Sequence, residues 1–216
     1  MKQVAVIYDL DETILPTSKI PATTFEPIFN AIRQANNNHI AELLLQDAFD
    51  ELWKKPFDIV ARAYHFTDAM INAGKHALIN TDYQLAILPF DDFNQIKEIE
   101  GIRILVTTGI TKLQQAKINA LFKDGDFDAI IIDDPFHDNR LGKKAIFAQL
   151  AVQYQLNPKQ VWIVGDSLDS EIAAGNELGM NTVQITRSEA PKTFVANHNI
   201  SSFYELKRLI DSVSSL

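Results

Sequence analysis

The 216-residue chain has no cysteine. Disulfides, thiolate nucleophiles and cysteine-built zinc sites are therefore excluded. Long apolar runs are missing too: no stretch approaches the roughly 20 apolar residues a membrane helix needs. The opening MKQVAVIYDLDE has an apolar run interrupted by Gln3 and closed by Asp9, which is too short and too polar for a signal peptide. Positive charge is scarce, with 20 Lys+Arg against 28 Asp+Glu and a formal charge of -8. A nucleic-acid surface carries the opposite excess, because Lys and Arg bind phosphate backbones. These absences lead to the expectation of a cytoplasmic soluble protein with no nucleic-acid and no membrane partner. A small phosphorylated substrate is not excluded, since it needs only one or two local cations and a metal. The pattern specifies no oligomeric state, and there are no internal repeats or low-complexity segments.

What is present is enough for a core: 46 % of the residues are apolar. The length suits one large domain or a main domain with a smaller insert. Residues 4–8 form a β-branched and aromatic run that ends in carboxylates and reads as a buried parallel strand. From about residue 25 to 86 the periodicity is helical, with Phe25, Ile28, Phe29 and Ile32 as its first set. Pro16, Pro21, Pro56 and the run Asn36-Asn37-Asn38 punctuate this stretch. From residue 88 on, helices and strands alternate. Helices are expected at 90–99, 111–122, 143–154, 170–178 and 203–210, and strands at 102–106, 129–132, 161–164 and 182–185. Such alternation means right-handed crossovers and a parallel sheet. The expected fold is therefore α/β, a Rossmann-like parallel sheet flanked by helices. Residues 1–15 and 88–216 would form the core, and 16–87 a small all-helical insert.

In such a sheet ligands bind at the carboxyl ends of the strands. Asp9-Leu10-Asp11-Glu12-Thr13 follow the first strand, Thr107-Thr108-Gly109 the second, Asp133-Asp134 the third, and Gly165-Asp166 with Asp169 and Glu171 the fourth. Lys143-Lys144 open the helix before that fourth strand. Carboxylates gathered on one edge repel one another unless a cation sits among them. Hard oxygen ligands with no His or Cys suit Mg²⁺. One carboxylate can act as nucleophile, and a second, two residues on, as general acid and base. The Thr107 hydroxyl and a nearby backbone amide can hold phosphate oxygens, and lysine can supply fixed positive charge. Asp133 and Asp134 read as loop and helix-capping residues rather than ligands.

Four motifs in this order resemble the haloacid dehalogenase superfamily of hydrolases. They are Asp9-x-Asp11-x-Thr13, Thr107 in Val-Thr-Thr-Gly, Lys143 at a helix start, and Gly165-Asp166 followed by an acid. The resemblance covers roughly residues 1–14 and 88–212, and it matches the insert in position and helical character only. It implies that Asp9 attacks phosphorus and that Asp11 protonates the leaving oxygen and then activates water. It also implies that Thr107, Thr108, Gly109 and Lys143 hold the phosphoryl group. Mg²⁺ would be bound by Asp9, the backbone carbonyl of Asp11, Asp166 and Glu171. The insert would be a cap that closes over the site and shields the intermediate from water. The superfamily usually has Asp as the last acid; Glu171 aligns best here and Asp169 competes. Lys144 is the alternative to Lys143. In the insert, Arg62, Tyr64, His65 and Lys75 could face a substrate, though an exposed helix face is the plainer reading.

Overall fold

The computed structural model describes residues 4–187 and 195–214. The strands are β1 (Ala5–Tyr8), β2 (Ile102–Thr108), β3 (Ala129–Asp133), β4 (Val161–Gly165), β5 (Asn181–Ile185) and β6 (His198–Ile200). They form one parallel sheet in the order β3-β2-β1-β4-β5-β6. β1 is central and all four of its residues are buried, as a continuous apolar run in a doubly covered sheet requires.

Alternate residues of each strand point to opposite faces, and the core divides accordingly. Val6, Tyr8, Leu105, Trp162 and Val164 belong to one apolar cluster; Ala5, Ile7, Ile104, Val106 and Ile163 belong to the other. The first cluster is covered by α5 (Thr111–Leu121) and α8 (Phe203–Ser214), which contribute Ile118, Phe203, Leu206 and Ile210. The second is covered by α6 (Lys143–Gln153) and α7 (Ala173–Glu177), through Ile146, Phe147, Leu150 and Ala174. Tyr8 sits edge-on to both Phe127 and Phe203, with centroids 6.2 and 5.9 Å away.

Between β1 and β2 lie four helices: α1 (Glu26–Ala35), α2 (Glu42–Glu51), α3 (Phe57–Ala63) and α4 (Asp68–Asn80). Pro27 stands in the first turn of α1 and Pro56 directly precedes α3, positions where a missing N–H does no harm. Thr67 caps α4 by accepting from Met70 N at 3.3 Å. Their buried residues, among them Ile28, Ile32, Leu45 and Met70, are continuous with the first sheet cluster through Leu10, Ile14 and Leu15.

Two expectations need correction. Residues 90–99 are not an α-helix; they carry a six-residue 3₁₀ helix, Phe93–Glu98. Phe93 and Ile96 are its buried residues, three apart, which is the repeat of a 3₁₀ turn rather than of a longer α-helix. The helix expected at 170–178 begins instead with a π-helical turn, Leu168–Ile172, and becomes α-helical only over Ala173–Glu177. Strand β6 was not anticipated, being three residues long with one of them buried.

Candidate active site

The end of β1 is built from backbone bonds. Asp9 N–H donates to Val164 O at 2.9 Å, which sets Asp9 beside the end of β4. Ile14 N and Leu15 N both donate to Leu10 O, and Glu12 N donates to Leu15 O. Glu12 adopts φ +55°, left-handed for a non-glycine residue, the kind of strain that surrounding structure must hold in place. Its carboxylate accepts from both the amide and the hydroxyl of Thr17. Thr13 is buried, and its carbonyl accepts from Arg187 Nη2 at 2.8 Å and Nε at 3.2 Å. Arg187 in turn pairs with Asp92 at 2.7 Å and stacks on Phe90 and Phe203. The turn that carries Asp9 and Asp11 is therefore fixed from several sides.

Lys143 opens α6 behind Gly142, whose φ of +77° favours glycine. Gly142 N donates to Asp133 Oδ1 at 3.2 Å. A lysine in the first turn opposes the helix dipole, and here two carboxylates offset that. Lys143 Nζ lies 2.6 Å from Asp9 Oδ1 and 2.7 Å from Glu171 Oε2. Burial works against its charge, but Asp9 and Glu171 outweigh burial and hold its pKa above the ordinary lysine value. Lys144 points elsewhere: its side chain is 58 % exposed and paired with Glu177 at the surface.

Glu171, 2 % exposed, is delivered by the π-helical turn. Its Oε1 accepts from Ser167 N at 2.7 Å while Oε2 holds Lys143. The side chain lies directly over Gly165, where a Cβ would overlap its Cγ and Oε1. Asp169 is exposed and stands at the cavity wall, apart from this cluster. Asp9, Asp166 and Glu171 each bring a ligand atom within 4.8 Å of the others. Burial, reinforced by Glu171 and Asp11 and opposed by Lys143, raises Asp9 to about 7. Burial, then Asp9 and Glu171, raise Asp166 to about 8. An all-oxygen set whose members strain against one another is a chemical fit for a hard divalent cation, which would favour their charged forms.

At the end of β2, Thr107 is buried, and Thr108 and Gly109 continue the edge. Sequence reasoning missed the two residues that organise this side. Gln114 Nε2 donates to Thr107 Oγ1 at 2.6 Å and to Asp11 Oδ2 at 3.1 Å. Lys117 Nζ stands 2.9 Å from both Asp11 oxygens. The Asp11 carboxylate is thus turned toward α5 and stands outside the three-acid cluster. Asp133, also buried, accepts from Arg140 Nε, Gly142 N and the Thr108 hydroxyl. It anchors the segment that leads to Lys143 and belongs to no metal cluster among the described residues. Asp134 caps α5, accepting from Thr111 N and Oγ1 at 2.8 Å each.

All eight candidate residues (Asp9, Asp11, Thr107, Thr108, Gly109, Lys143, Asp166 and Glu171) line one cavity of about 780 Å³. Its wall from the helices between β1 and β2 includes Phe25, Trp53, Lys54, Lys55, Pro56 and Ile59. Arg62, Tyr64, His65 and Lys75 do not line it; Lys75 instead sits over the Phe136 ring at 4.7 Å. Arg140 bridges the two sides, pairing with Asp58 of α3 and with Asp133.

This chain is similar to known proteins along most of its length. A glyceraldehyde 3-phosphate phosphatase of Methanopyrus kandleri is 25 % identical, over 98 % of this chain and 97 % of its own length. Pyrimidine 5'-nucleotidase YjjG of Escherichia coli is 26 % identical, over 81 % of this chain and 75 % of its own. The crystal structure of a HAD phosphatase from Thermococcus onnurineus superposes with a TM-score of 0.61 at 18 % identity, covering 96 % of this chain and 98 % of that one. The sequence profile of haloacid dehalogenase-like hydrolases matches residues 6–185. With the profile spanning the sheet from β1 to β5 and every strand-end motif, this chain belongs to the haloacid dehalogenase-like hydrolase family.

Proposed function

We propose that this protein is a Mg²⁺-dependent phosphatase of small phosphorylated metabolites, acting through an aspartyl-phosphate on Asp9. The observation that carries the reading is the buried Asp9 carboxylate at the cavity floor, with Lys143 Nζ 2.6 Å away and Asp11 two residues on. An Asp9 oxygen attacks phosphorus, the bond from phosphorus to the ester oxygen breaks, and that oxygen takes a proton from Asp11. Asp11 then takes a proton from water, whose oxygen attacks phosphorus; the bond to Asp9 breaks and inorganic phosphate leaves. Lys143, the Thr107 hydroxyl and the region of Thr108 and Gly109 hold the phosphoryl oxygens. Asp9, Asp166 and the Asp11 carbonyl would hold Mg²⁺, which supplies charge neutralisation at the transferring group. Both oxygens of Glu171 are already engaged, which supports a role in orienting Lys143 and touching the metal through water.

In this reading residues 16–87 are a cap and 1–15 with 88–216 the core. The presence of Trp53, Pro56 and Ile59 in the wall of the cavity that contains Asp9 supports it. A phosphonatase would need a Schiff-base lysine of lowered pKa. Lys54 and Lys55, on the cavity wall, are both exposed and Lys55 is paired with Glu51, so neither has the apolar enclosure a Schiff-base lysine uses.

The test is phosphate release from a panel of esters with Mg²⁺. The relatives' substrates, glyceraldehyde 3-phosphate and pyrimidine nucleoside monophosphates, head the panel, with p-nitrophenyl phosphate as the generic ester. Turnover that ends on chelation is expected. No release from any ester would sink the reading, and an isomerised product without free phosphate would point to a mutase.

Stability without metal supplies a second expectation. Asp9 and Asp166 titrate near 7 and 8 when folded but near 4 when unfolded. Between those values the folded state binds more protons, so stability falls as pH rises from about 4 to about 8. Melting of the metal-free protein at pH 8.5 is expected on the order of 10 °C below that at pH 6, from several kcal/mol at roughly 2–4 °C each. Saturating Mg²⁺ should remove most of the difference. An equal fall with and without Mg²⁺ would overturn the metal assignment.

A further inference from the structure

We propose that Gln114 and Lys117 are a pair of positioning residues that couple the proton-transfer carboxylate Asp11 to the phosphate-holding hydroxyl Thr107. The proposal rests on the phosphatase reading above. The starting observation is that α5 breaks its own pattern. Its buried stripe is Leu113, Gln114, Lys117 and Ile118, so two polar residues occupy places where an amphipathic helix puts apolar ones. Gln114 is 1 % exposed and Lys117 5 % exposed. A buried ammonium is tolerated only when paired, and among the described residues Asp11 is the ion-pair partner of Lys117.

The geometry gives each residue a separate task. Asp11, as a carboxylate, only accepts, so the Gln114 group that faces it at 3.1 Å is the NH₂. That same NH₂ reaches Thr107 Oγ1 at 2.6 Å. A hydroxyl oxygen that accepts from Gln114 is left with its own proton directed away from Gln114, available to a phosphoryl oxygen in the cavity. Lys117, by bonding both Asp11 oxygens, holds the carboxylate that remains after Asp11 has given its proton to the leaving oxygen. It keeps that carboxylate within the cavity wall for the water-activating step, where the Asp11 side chain is 30 % exposed.

The experiment separates these tasks by leaving group. An ester such as glycerol phosphate needs a proton on its departing alkoxide, whereas p-nitrophenolate leaves without one. Rapid mixing of wild type, Lys117→Met, Lys117→Arg and Gln114→Leu with both esters and Mg²⁺ reads the first turnover and the steady state separately. For Lys117→Met the expectation is a nitrophenolate burst at the wild-type rate and then turnover lowered about 100-fold. With glycerol phosphate there should be a similar loss from the first turnover onward. Lys117→Arg should recover most of both. Gln114→Leu should weaken inhibition by inorganic phosphate about tenfold, the equivalent of one hydrogen bond, and Lys117→Met should not. Equal losses on both esters in the first turnover, or unchanged kinetics in Lys117→Met, would overturn the proposal. If Lys117→Met does not fold, Lys117→Gln is read by the same criteria. Wild type inactive on every ester would instead sink the phosphatase reading, so the two failures are distinguishable.

Discussion

Asp9→Asn is expected to lower phosphate release by about 10⁴-fold or more, the scale on which loss of a covalent nucleophile acts. The substitution keeps the shape of the side chain and removes only its charge and nucleophilicity. It should leave the fold intact, because the bond that places residue 9 is between main-chain atoms, Asp9 N to Val164 O. Lys143 retains Glu171 as a partner at 2.7 Å. One of the acids pushing on Asp166 is gone, so the metal-free variant should melt no lower than wild type at pH 8. No base-labile, hydroxylamine-sensitive phosphoryl group should be trapped on it by acid quenching during turnover, whereas wild type should carry one. Undiminished turnover in the variant, or a phosphoprotein of wild-type yield, would remove Asp9 from the mechanism.

The same placement explains why the strand ends were legible in the sequence. β1 and β4 are continuous apolar runs closed by polar residues, β2 is one from Ile104 to Val106, and a parallel sheet makes their ends a common edge. What depends on local packing was not legible. The short β6 and the 3₁₀ turn at Phe93–Glu98 carry too few residues for a period to appear. The π-helical turn that aims Glu171 over Gly165 is a tertiary adjustment with no pattern of its own. Two further features had a signal that could have been read. Lys143 shares the helical face of Ile146, Phe147 and Leu150, which are buried, while Lys144 is displaced from it; phase alone therefore favours Lys143. Gln114 and Lys117 sit in the apolar stripe of α5, and polar residues there ask for a partner inside the protein. The helices between β1 and β2 were visible as a block, yet the cavity wall is made by Trp53 to Pro56 and Ile59 rather than by Arg62 or Lys75, because the loop from α2 to α3 and the first turn of α3 meet the site.

Lys143→Met is expected to show the second large effect, and it reads charge rather than nucleophilicity. The ammonium is the cation that Asp9 and Glu171 share, and methionine matches its length without the charge. Removing one partner of a buried pair leaves uncompensated carboxylates and costs about 3–5 kcal/mol, roughly 10 °C of melting temperature for a chain of this length. Both anions are affected, and Asp166 beside them is already raised to about 8, so the loss should be largest in metal-free protein above pH 8. It should shrink on adding Mg²⁺, whose charge substitutes in part for the ammonium. Catalysis should fall about 10²–10³-fold, as when one preorganised electrostatic contact to a developing charge is lost, and Mg²⁺ should not restore it. Lys144→Met is the control, because that lysine pairs with Glu177 at the surface, where ion pairs contribute little; melting and turnover should both match wild type. If Lys144→Met lost activity and Lys143→Met kept it, the second lysine rather than the first would be the one that meets the phosphoryl group.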